Sequence, residues 1–464
     1  MKKIAIIGGG LSGLASAFFI RERAIQLNQP IEITIIEKDS RVGGKIWSIE
    51  KDGYLCEYGP NGFLDNNPDT LELCEKLGIT DLLLKSNDNA RKRFVVDKNQ
   101  LYKLPHTPSE FIQNKLISWR GKLRIFAEIL VKKSSLTDET VASFAKRRLG
   151  AEALTKLIAP MSSGIFAGNP ETMSLSACFP RIKQLEYQYG GLFKAMFALR
   201  KQNKNKSSSS ASAAGPGGIL TSFSNGIEVL TKQLANAIGM KNIYLDCNVT
   251  SVSKSDTAHW QVLYTQRNKN YQLKFDTIVL ATPAYATANL LHNHDSELSF
   301  LLKQINYSPL VVICLGYDLS KIPHDTNGFG YLFTHQANQC VLGTLWDSSI
   351  FVDRAPKDKI LFRLMLGGAR YPDINLLSDS DIITRATDSL KMIMGVTLAP
   401  EMIQVFRHEN AIPQYNLGHL DLVDNIEKQA KVNSTNLYIT GNAYRGIGIN
   451  DCISSAKDLA KQSV

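Results

Sequence analysis

The sequence has no apolar run that approaches the length needed to cross a bilayer, and it has no Cys-x-x-Cys pair. Its seven cysteines are scattered and odd in number, which is typical of reduced thiols in a cytosolic protein. The apolar stretch after Met1 ends at Gly8 without a small-residue cleavage site, so no signal peptide is predicted. No Ser/His/Asp or Cys/His nucleophile arrangement and no metal-ligand cluster stands out, which indicates that a cofactor supplies the chemistry.

The charge balance is basic, with 53 Lys and Arg against 43 Asp and Glu, a net charge of +10. This balance favours an anionic partner. Nucleic acid is not predicted, because no recognisable binding module gathers the basic residues. An anionic membrane surface and a carboxylate-bearing substrate fit the charge equally well.

The chain opens with an apolar strand that runs into Gly8-x-Gly10-x-x-Gly13 and then into a helical pattern. In this motif the first glycine allows a tight turn, the second lets backbone approach a pyrophosphate, and the third lets helix and strand pack closely. A second strand, 32–36, ends at Glu37, whose carboxylate can accept from ribose hydroxyls. The predicted dinucleotide contacts of this unit are Gly8, Gly9, Gly10, Leu11, Ser12, Gly13, Glu37 and Lys38.

Several later stretches have small residues where backbone could meet the same cofactor. Two glycines flanked by cations follow Glu37 and suit a second phosphate contact, although a plain turn is the alternative. A buried strand ends at Ala281, and glycines cluster again before the last helix. A valine in a strand, Val249, could pack on an adenine or be ordinary core. The predicted contacts are Arg41, Gly43, Gly44, Lys45, Gly59, Pro60, Asn61, Gly62, Val249, Ala281, Gly441, Ile447, Gly448 and Ile449.

The length of 464 residues predicts two or three domains. Nucleotide-fold pieces at both ends and in the middle indicate a discontinuous domain with a second domain inserted. We predict strands at 243–245, 249–252, 260–264, 271–275, 277–280, 311–317, 341–346, 360–366 and 437–440, and helices at 140–158, 227–238 and 376–395. The predicted segments are a cofactor domain at 1–89, 219–285 and 405–464, a substrate domain at 90–105 and 286–404, a helical lobe at 106–200 and a flexible Ser/Gly-rich loop at 201–218.

Taken together, the sequence resembles the protoporphyrinogen/coproporphyrinogen oxidase family within the flavin amine-oxidase superfamily, from end to end. The superfamily is indicated by the N-terminal glycines, Arg41–Lys45 and the C-terminal glycine turn. The family is indicated by Gly59-Pro60-Asn61, 158–168, Arg354-Ala355-Pro356 and Pro413-Gln414-Tyr415-x-x-Gly418-His419.

The resemblance implies an α/β fold: a two-dinucleotide-binding (Rossmann-like) FAD domain, an inserted antiparallel-sheet substrate domain and a helical lobe. It implies oxidation of a porphyrinogen to a porphyrin in haem synthesis, six electrons in three flavin cycles, with dioxygen as acceptor and hydrogen peroxide released. A hydride leaves a meso carbon toward flavin N5, so no catalytic side chain is required. Hand-off of product to a ferrochelatase and a cytoplasmic location belong to the same expectation; no oligomeric state is predicted.

Protoporphyrinogen IX is the favoured substrate and coproporphyrinogen III the alternative. In plant-type protoporphyrinogen enzymes an Arg pairs a propionate and an Asn follows Gly-Pro, and here Arg93 and Asn61 stand at matching places. Gly164, Leu332 and Phe351 match positions around the macrocycle, although Phe351 could equally be core. The family usually has Trp near the flavin where this chain has His408.

Residues 111–133 interleave apolar side chains with six cations. This composition is typical of a face in a membrane interface, and equally of a helical pair that lines a substrate channel. The first alternative predicts a peripheral contact with the inner face of the cytoplasmic membrane. Two other functions stay open for the chain as a whole: a flavin amine oxidase or carotenoid-desaturase relative, and a non-catalytic carrier of the same fold.

Overall fold

The computed structural model describes residues 1–203, 217–254, 259–334 and 340–464. The strands in this part of the chain are β1 Lys2–Ile7, β2 Ile31–Ile36, β3 Ser48–Lys51, β4 Tyr54–Glu57, β5 Phe63–Leu64, β6 Leu83–Lys85, β7 Arg93–Asp97, β8 Gln100–Lys103, β9 Leu220–Phe223, β10 Ile243–Tyr244, β11 Asn248–Lys254, β12 Trp260–Gln266, β13 Lys269–Phe275, β14 Thr277–Leu280, β15 Tyr307–Asp318, β16 Gly330–Phe333, β17 Val341–Trp346, β18 Lys359–Gly367, β19 Met402–Pro413 and β20 Leu437–Ile439.

The α-helices of the same part are α1 Leu11–Gln26, α2 Pro68–Lys76, α3 Pro108–Gln113, α4 Trp119–Phe126, α5 Val141–Arg148, α6 Ala151–Ala153, α7 Ala159–Phe166, α8 Leu175–Cys178, α9 Pro180–Tyr189, α10 Leu192–Asn203, α11 Glu228–Ile238, α12 Ala284–Leu291, α13 Ser296–Lys303, α14 Asp347–Ile350, α15 Asp379–Met394, α16 His419–Asn433 and α17 Ile449–Ser463.

A five-stranded parallel sheet in the order β10-β2-β1-β14-β20 is built from widely separated parts of the chain. The central strand β1 is buried because it is covered on both faces, as its apolar run Ile4–Ile7 predicts. On one face α1, α11 and α17 share an apolar core, and on the other the β11-β12-β13 sheet, α12, α13 and α16 form a second core. The carboxyl ends of β1, β2 and β14 therefore meet at one edge of the sheet.

A second sheet of seven strands has the order β19-β15-β18-β17-β16-β7-β8. Its pairs are antiparallel except β7 and β16, which run parallel. The helix α15 covers one face, and the pairing of the long strands β15 and β19 has one irregularity, between Ser308 and Leu310 of β15. The predicted α/β class with a parallel sheet and a mostly antiparallel inserted sheet is confirmed.

The helical lobe differs from the sequence prediction at one point. A single helix was predicted over 140–158, but α5 ends at Arg148 and the chain continues as α6 and a π-helical turn, Leu154–Ile158. The cause is Gly150, whose φ of +95° is incompatible with a continuous helix. The apolar spacing was right and the stop signal was overlooked.

The predicted domain boundaries stay a prediction. The parallel sheet draws its strands from 2–36, 243–280 and 437–439, which lie within the segments assigned to the cofactor domain. The seven-stranded sheet uses β7 and β8 together with strands from 307 to 413. Most of the predicted flexible loop at 201–218 lies outside the described residues.

Candidate functional site

The turn between β1 and α1 has the geometry of a phosphate cradle. Gly8 has a φ of +106°, a conformation that a side chain would strain. A Cβ on Gly13 would collide with the carbonyl oxygen of Gly8, so helix and turn pack as closely as the motif requires. On Gly10 a Cβ would meet only Gly44 Cα, at 4.0 Å, and this open side faces the N-terminus of α1. Leu11 and Ser12 begin that helix, whose free N–H groups suit an anion.

Glu37 lies at the end of β2 and is buried, with 6% of its surface exposed. Its Oε2 accepts from the Gly9 N–H at 2.5 Å, and its Oε1 accepts from the Asp39 N–H at 2.9 Å. Burial raises the pKa of this carboxyl, and the two backbone N–H groups oppose the rise. The carboxylate thus stands beside the glycine turn, as a ribose contact requires, while Lys38 is exposed.

The second glycine pair joins the same cradle. Gly43 bridges to Gly10 as in a parallel ladder, and its N–H donates to the Gly9 carbonyl at 2.8 Å. Both flanking cations donate to main-chain carbonyls. Arg41 Nη2 donates to the Gly44 carbonyl at 2.7 Å, and its guanidinium lies 4.2 Å from the Trp47 ring centroid.

Lys45, the other flanking cation, donates to the carbonyls of Asn410 (2.7 Å) and Ala411. Burial lowers the pKa of this lysine to about 8. The predicted phosphate role of Arg41 and Lys45 stays a prediction.

The C-terminal glycine turn is held by Tyr415, from the Pro-Gln-Tyr stretch. The Tyr415 hydroxyl donates to the Asn442 carbonyl at 2.7 Å and accepts from the Gly446 N–H at 2.9 Å. Gly441 has a φ of +136°, and a Cβ there would meet nothing within 4 Å. Gly448 is the N-cap of α17 and donates its N–H to Asp451 Oδ2 at 3.0 Å.

A cavity of about 540 Å³ lies between this turn and the Gly59–Gly62 turn. Its lining includes Gly62, Phe63, Leu64, Asn66, Asn67, Leu220, Gly448, Ile449 and Asn450. It therefore brings the predicted contact Gly62 next to two predicted contacts from the other end of the chain, Gly448 and Ile449. Ile447, which precedes them, packs against a neighbouring apolar cluster.

The residues present fit a flavin dinucleotide. The cradle leaves open space at Gly10 and Gly441, where a side chain would intrude, and the N-termini of α1 and α17 both have glycine N-caps. The Asn61 amide nitrogen is buried and has no hydrogen-bond partner among the described residues. A buried donor of this kind is costly unless a ligand or water accepts from it.

Three further predicted contacts lie around this cradle. Ala281 follows β14 and donates its N–H to the Ile7 carbonyl at 2.9 Å, beside Gly8. Val249 is in β11, close to Cys247, whose N–H donates to the Glu37 carbonyl at 2.9 Å.

His408 packs on Tyr58, with ring centroids 4.2 Å apart, and its Nε2 lies 3.0 Å from the Tyr58 carbonyl oxygen. Burial lowers the pKa of His408 to about 4, so this ring is neutral near pH 7.

The predicted substrate residues fall into two groups. A Cβ on Gly164 in α7 would lie 2.8 Å from Leu332 Cδ1 in β16, so these two positions are in contact. Met161 lies one turn before both Gly164 and Ile165 on α7, and Met161 and Ile165 expose 37% and 46% of their surface. The result is a partly open apolar wall.

Arg93 begins β7, directly opposite Gly330 in β16. Its side chain is exposed, and its guanidinium lies 5.0 Å from the Phe329 ring centroid. Phe351 is instead buried, with 1% exposed, in a cluster that also includes Phe329. Arg93 and Leu332 lie on the strand pair β7 and β16, and Gly164 of α7 lies against Leu332. Phe351 lies in the core, and the substrate roles stay predictions.

The sequence reasoning missed a set of buried charges beneath the Gly59 turn. Arg363 Nη1 donates to the Gly59 carbonyl at 2.7 Å, and Arg363 Nε lies 2.8 Å from Asp347 Oδ2. The signal was available, because Arg363 is a cation in the middle of the otherwise apolar run 360–366 of β18. A charge in such a run needs a buried partner.

In comparison with known proteins, residues 11–462 match the model of the flavin containing amine oxidoreductase family. The chain is 29% identical over 467 residues to coproporphyrinogen III oxidase of Bacillus subtilis (strain 168), covering 98% of this chain and 96% of the relative. It is also 29% identical to the chloroplastic protoporphyrinogen oxidase of Nicotiana tabacum, covering 98% and 84%.

Among solved structures, a protein from Exiguobacterium sp. 255-15 superposes with a TM-score of 0.84 at 24% identity, covering 99% of this chain and 98% of that one. Reduced UDP-galactopyranose mutase superposes with a TM-score of 0.74 at 13% identity, covering 100% and 93%. At these identities the superpositions support the fold alone.

Proposed function

The chain belongs to the flavin containing amine oxidoreductase family, and from this premise we propose that it is an FAD-dependent oxidase that converts a porphyrinogen to a porphyrin. The observation that carries the proposal is the coincidence of two features. The similarity to relatives named for porphyrinogen oxidation covers 98% of the chain, and the apolar wall of Gly164 and Leu332 has a cation, Arg93, on the paired strand.

The residues of the cradle would hold FAD: the Gly8–Gly13 turn at the pyrophosphate, Glu37 at the ribose, and the Gly441–Ile449 turn with Asn61 at the flavin. Bound FAD supplies the hydride acceptor for this chemistry. The chain's own residues then bind and orient the substrate. Leu332 and α7 would present an apolar surface to the macrocycle, and Arg93 would pair a propionate at the rim.

Protoporphyrinogen IX is the proposed substrate, since Asn61 and Arg93 stand where plant-type enzymes have them. Coproporphyrinogen III is the second candidate, because the chain is as similar to the Bacillus subtilis relative, named for that substrate, as to the tobacco one. The test is a side-by-side assay of the purified holoprotein with both porphyrinogens, following porphyrin fluorescence. Oxidation of amines but of neither porphyrinogen, or absence of flavin absorbance, would refute the proposal.

Dioxygen as acceptor, release of hydrogen peroxide and product hand-off to a ferrochelatase are parts of the same proposal. Peroxide formed in the porphyrinogen assay tests the first two. No helix in residues 1–203, 217–254, 259–334 and 340–464 is both long enough and apolar enough to span a bilayer.

We further propose that the helical lobe makes a peripheral contact with the inner face of the cytoplasmic membrane. Large apolar side chains are exposed along α4 and beyond it: Trp119 and Leu123 expose 65% each and Leu130 exposes 82%. Four of the six cations in 111–133 are exposed around them, namely Lys115, Arg120, Lys132 and Lys133.

The other two cations of 111–133 bond internal carbonyls. Lys122 donates to Ile112 and Asn114, and Arg124 donates to Arg147 and Arg148. An apolar stripe flanked by solvated cations is the composition of an interfacial helix.

The membrane contact can be tested by co-sedimentation with vesicles that contain anionic lipid, at low and high salt. Parent protein is expected to bind at low salt, and Trp119→Ser with Leu123→Ser is expected to bind less. The matched control is Leu376→Ser, which changes an apolar residue that is more exposed, at 82%, and lies outside the helical lobe, in the turn Pro372–Leu376. Failure of the parent to bind at low salt would refute the contact and favour the channel-lining alternative.

A further inference from the structure

The Gly59-Pro60-Asn61 turn is held by four buried charged side chains that the proposed function does not use. We call them the turn cluster: Glu57 and Arg354, each 0% exposed, Asp347 at 1% and Arg363 at 3%. Glu57 ends β4 and lies 3.7 Å from Arg354, Asp347 begins α14, and Arg363 lies in β18. The cluster therefore joins the strand before the turn to the seven-stranded sheet.

Arg363 contacts the turn directly from the middle of the seven-stranded sheet. Strand β18 places it opposite Cys314 in β15 and Leu345 in β17. Its Nη1 donates to the Gly59 carbonyl at 2.7 Å, and Asp347 Oδ2 lies 2.8 Å from its Nε. The latter contact is an attraction between charges rather than an aligned hydrogen bond.

Glu57 fixes the chain two residues before the same carbonyl. Its Oε1 accepts from the Ile227 N–H at 3.0 Å, just before α11, and its Oε2 accepts from Ser48 Oγ at 2.6 Å. Arg354 Nη2 lies 3.7 Å from Glu57 Oε1 and donates to Ser222 Oγ at 2.9 Å. The turn is therefore held from the cofactor side and from the sheet side at once.

Stability alone does not account for charges at this place. Burying an ion costs several kcal/mol, and well-packed apolar side chains commonly serve stability as well as a buried ion pair does. A guanidinium that donates to a main-chain carbonyl does fix that carbonyl in space, with a charge-assisted bond. Two residues further along the turn is Asn61, whose buried amide nitrogen has no partner among the described residues.

We infer that Asp347 and Arg363 are positioning residues: they hold the Gly59 carbonyl so that the Asn61 amide faces the cleft between cofactor and substrate. Asp347 orients the guanidinium, and the guanidinium orients the turn. The inference rests on the proposed function where it concerns the KM for the substrate. The effect on the flavin absorption bands does not depend on which substrate is oxidised.

The experiment is a double-mutant cycle between Arg363→Met and Asn61→Ala in the holoprotein. Each single variant is expected to shift the visible flavin absorption bands and to raise KM about tenfold, the loss of one charge-assisted contact, with a smaller change in kcat. Because both act through one amide, the double variant is expected to be no worse than either single. Arg363→Lys keeps the charge but not the planar set of donors of a guanidinium, so its KM should lie between those of Arg363→Met and the parent.

The matched control is Arg407→Met, which removes another Arg–Asp pair of the same sheet, with Asp379 at 2.5 Å, but at the surface. It should leave the flavin bands and KM as in the parent. If Arg363→Met fails to fold, the variant Asp347→Leu with Arg363→Met removes both charges together and takes its place in the cycle.

Additive effects of the two substitutions, or a lower Tm with parent-like flavin bands and KM, would overturn the inference. If the parent binds flavin but oxidises no porphyrinogen, the proposed function fails, and the cycle is then decided by the flavin bands alone. In that case non-additive band shifts support the positioning role and additive ones overturn it.

Discussion

Arg148 in the helical lobe and Arg354 in the turn cluster are both fully buried arginines, yet their surroundings differ. Arg148 makes five hydrogen bonds, to Glu128, Glu186, the Val131 carbonyl and the Gly190 carbonyl. Five bonds equal the donor capacity of a guanidinium. In Arg354, Nε and Nη1 have no partner among the described residues.

The difference separates a region whose buried polar groups find their hydrogen-bond partners within the lobe from a region where some of them do not. In the lobe, Glu128 also accepts from the N–H groups of Leu192 and Phe193 at the start of α10, so the network closes on itself. Around the Gly59 turn, polar atoms of Asn61 and Arg354 lack partners among the described residues. A buried polar group without a protein partner calls for a ligand, an ordered water or an ion, and for Asn61 the partner that we propose is the flavin.

The largest effect is expected from Gly10→Val, which would block the proposed flavin cradle and leave the helical lobe unchanged. The open side of Gly10 would receive a side chain where the pyrophosphate is proposed to lie, so flavin retention should be lost almost completely. The Tm should then match that of the flavin-free parent, because the variant loses only the stabilisation that bound flavin gives. Absorbance at flavin wavelengths together with calorimetry measures both. A yellow variant with parent-like flavin content would contradict the cradle.

The converse test is Arg148→Met in the lobe. Removing one member of this buried charge network leaves Glu128 without its cation and Glu186 with Arg147 alone, and should lower the free energy of unfolding by about 3–5 kcal/mol. Flavin content should stay unchanged. Chemical denaturation measures the loss, and Arg91→Met, at the exposed Arg91–Asp88 pair, should lower the free energy of unfolding by about 1 kcal/mol or less.

The stability of the region around the Gly59 turn should depend on pH through His408. The pKa of this histidine falls from 6.5 to about 4 on folding because of burial. The unfolded chain binds a proton that the folded one does not between these values, so stability is lost as pH falls from 6.5 to 4, by about 3 kcal/mol. In His408→Phe this contribution should vanish. The measurement is denaturation of parent and variant at pH 7 and pH 4.5; equal losses in both would contradict it.

The smallest expected effect is that of Arg93→Ala. An exposed cation that pairs a propionate at the rim should raise KM for the porphyrinogen about tenfold and leave flavin content and Tm as in the parent. Steady-state kinetics measures it, with Arg91→Ala as the control, since Arg91 pairs Asp88 at the surface. Parent-like kinetics would refute the propionate role.

The local parts of this structure were predictable from the sequence because their cause is local. The glycine spacing at 8–13, the acid at the end of β2 and most strand bounds follow from residues within a few positions of one another. The helix break at Gly150 was predictable in the same way and was overlooked.

The turn cluster was not predictable, because its contacts join distant parts of the chain. The bond from Arg363 to Gly59 spans 304 residues, and that from Arg354 to Ser222 spans 132. The internal use of Arg41 and Lys45 escaped prediction for a related reason. A cation next to two glycines is compatible with a phosphate, and only the fold shows that Lys45 reaches the carbonyls at 410 and 411.

The parallel sheet has a consequence for synthesis of the protein on the ribosome. Strand β1 is made first, but its neighbour β14 and the outer strand β20 emerge only after residues 277 and 437, and α17, which packs with α1 in one core, comes last. The apolar faces of β1 and α1 therefore lack these packing partners during most of translation. Nascent chains stalled before α17 should expose them to chaperones and proteases.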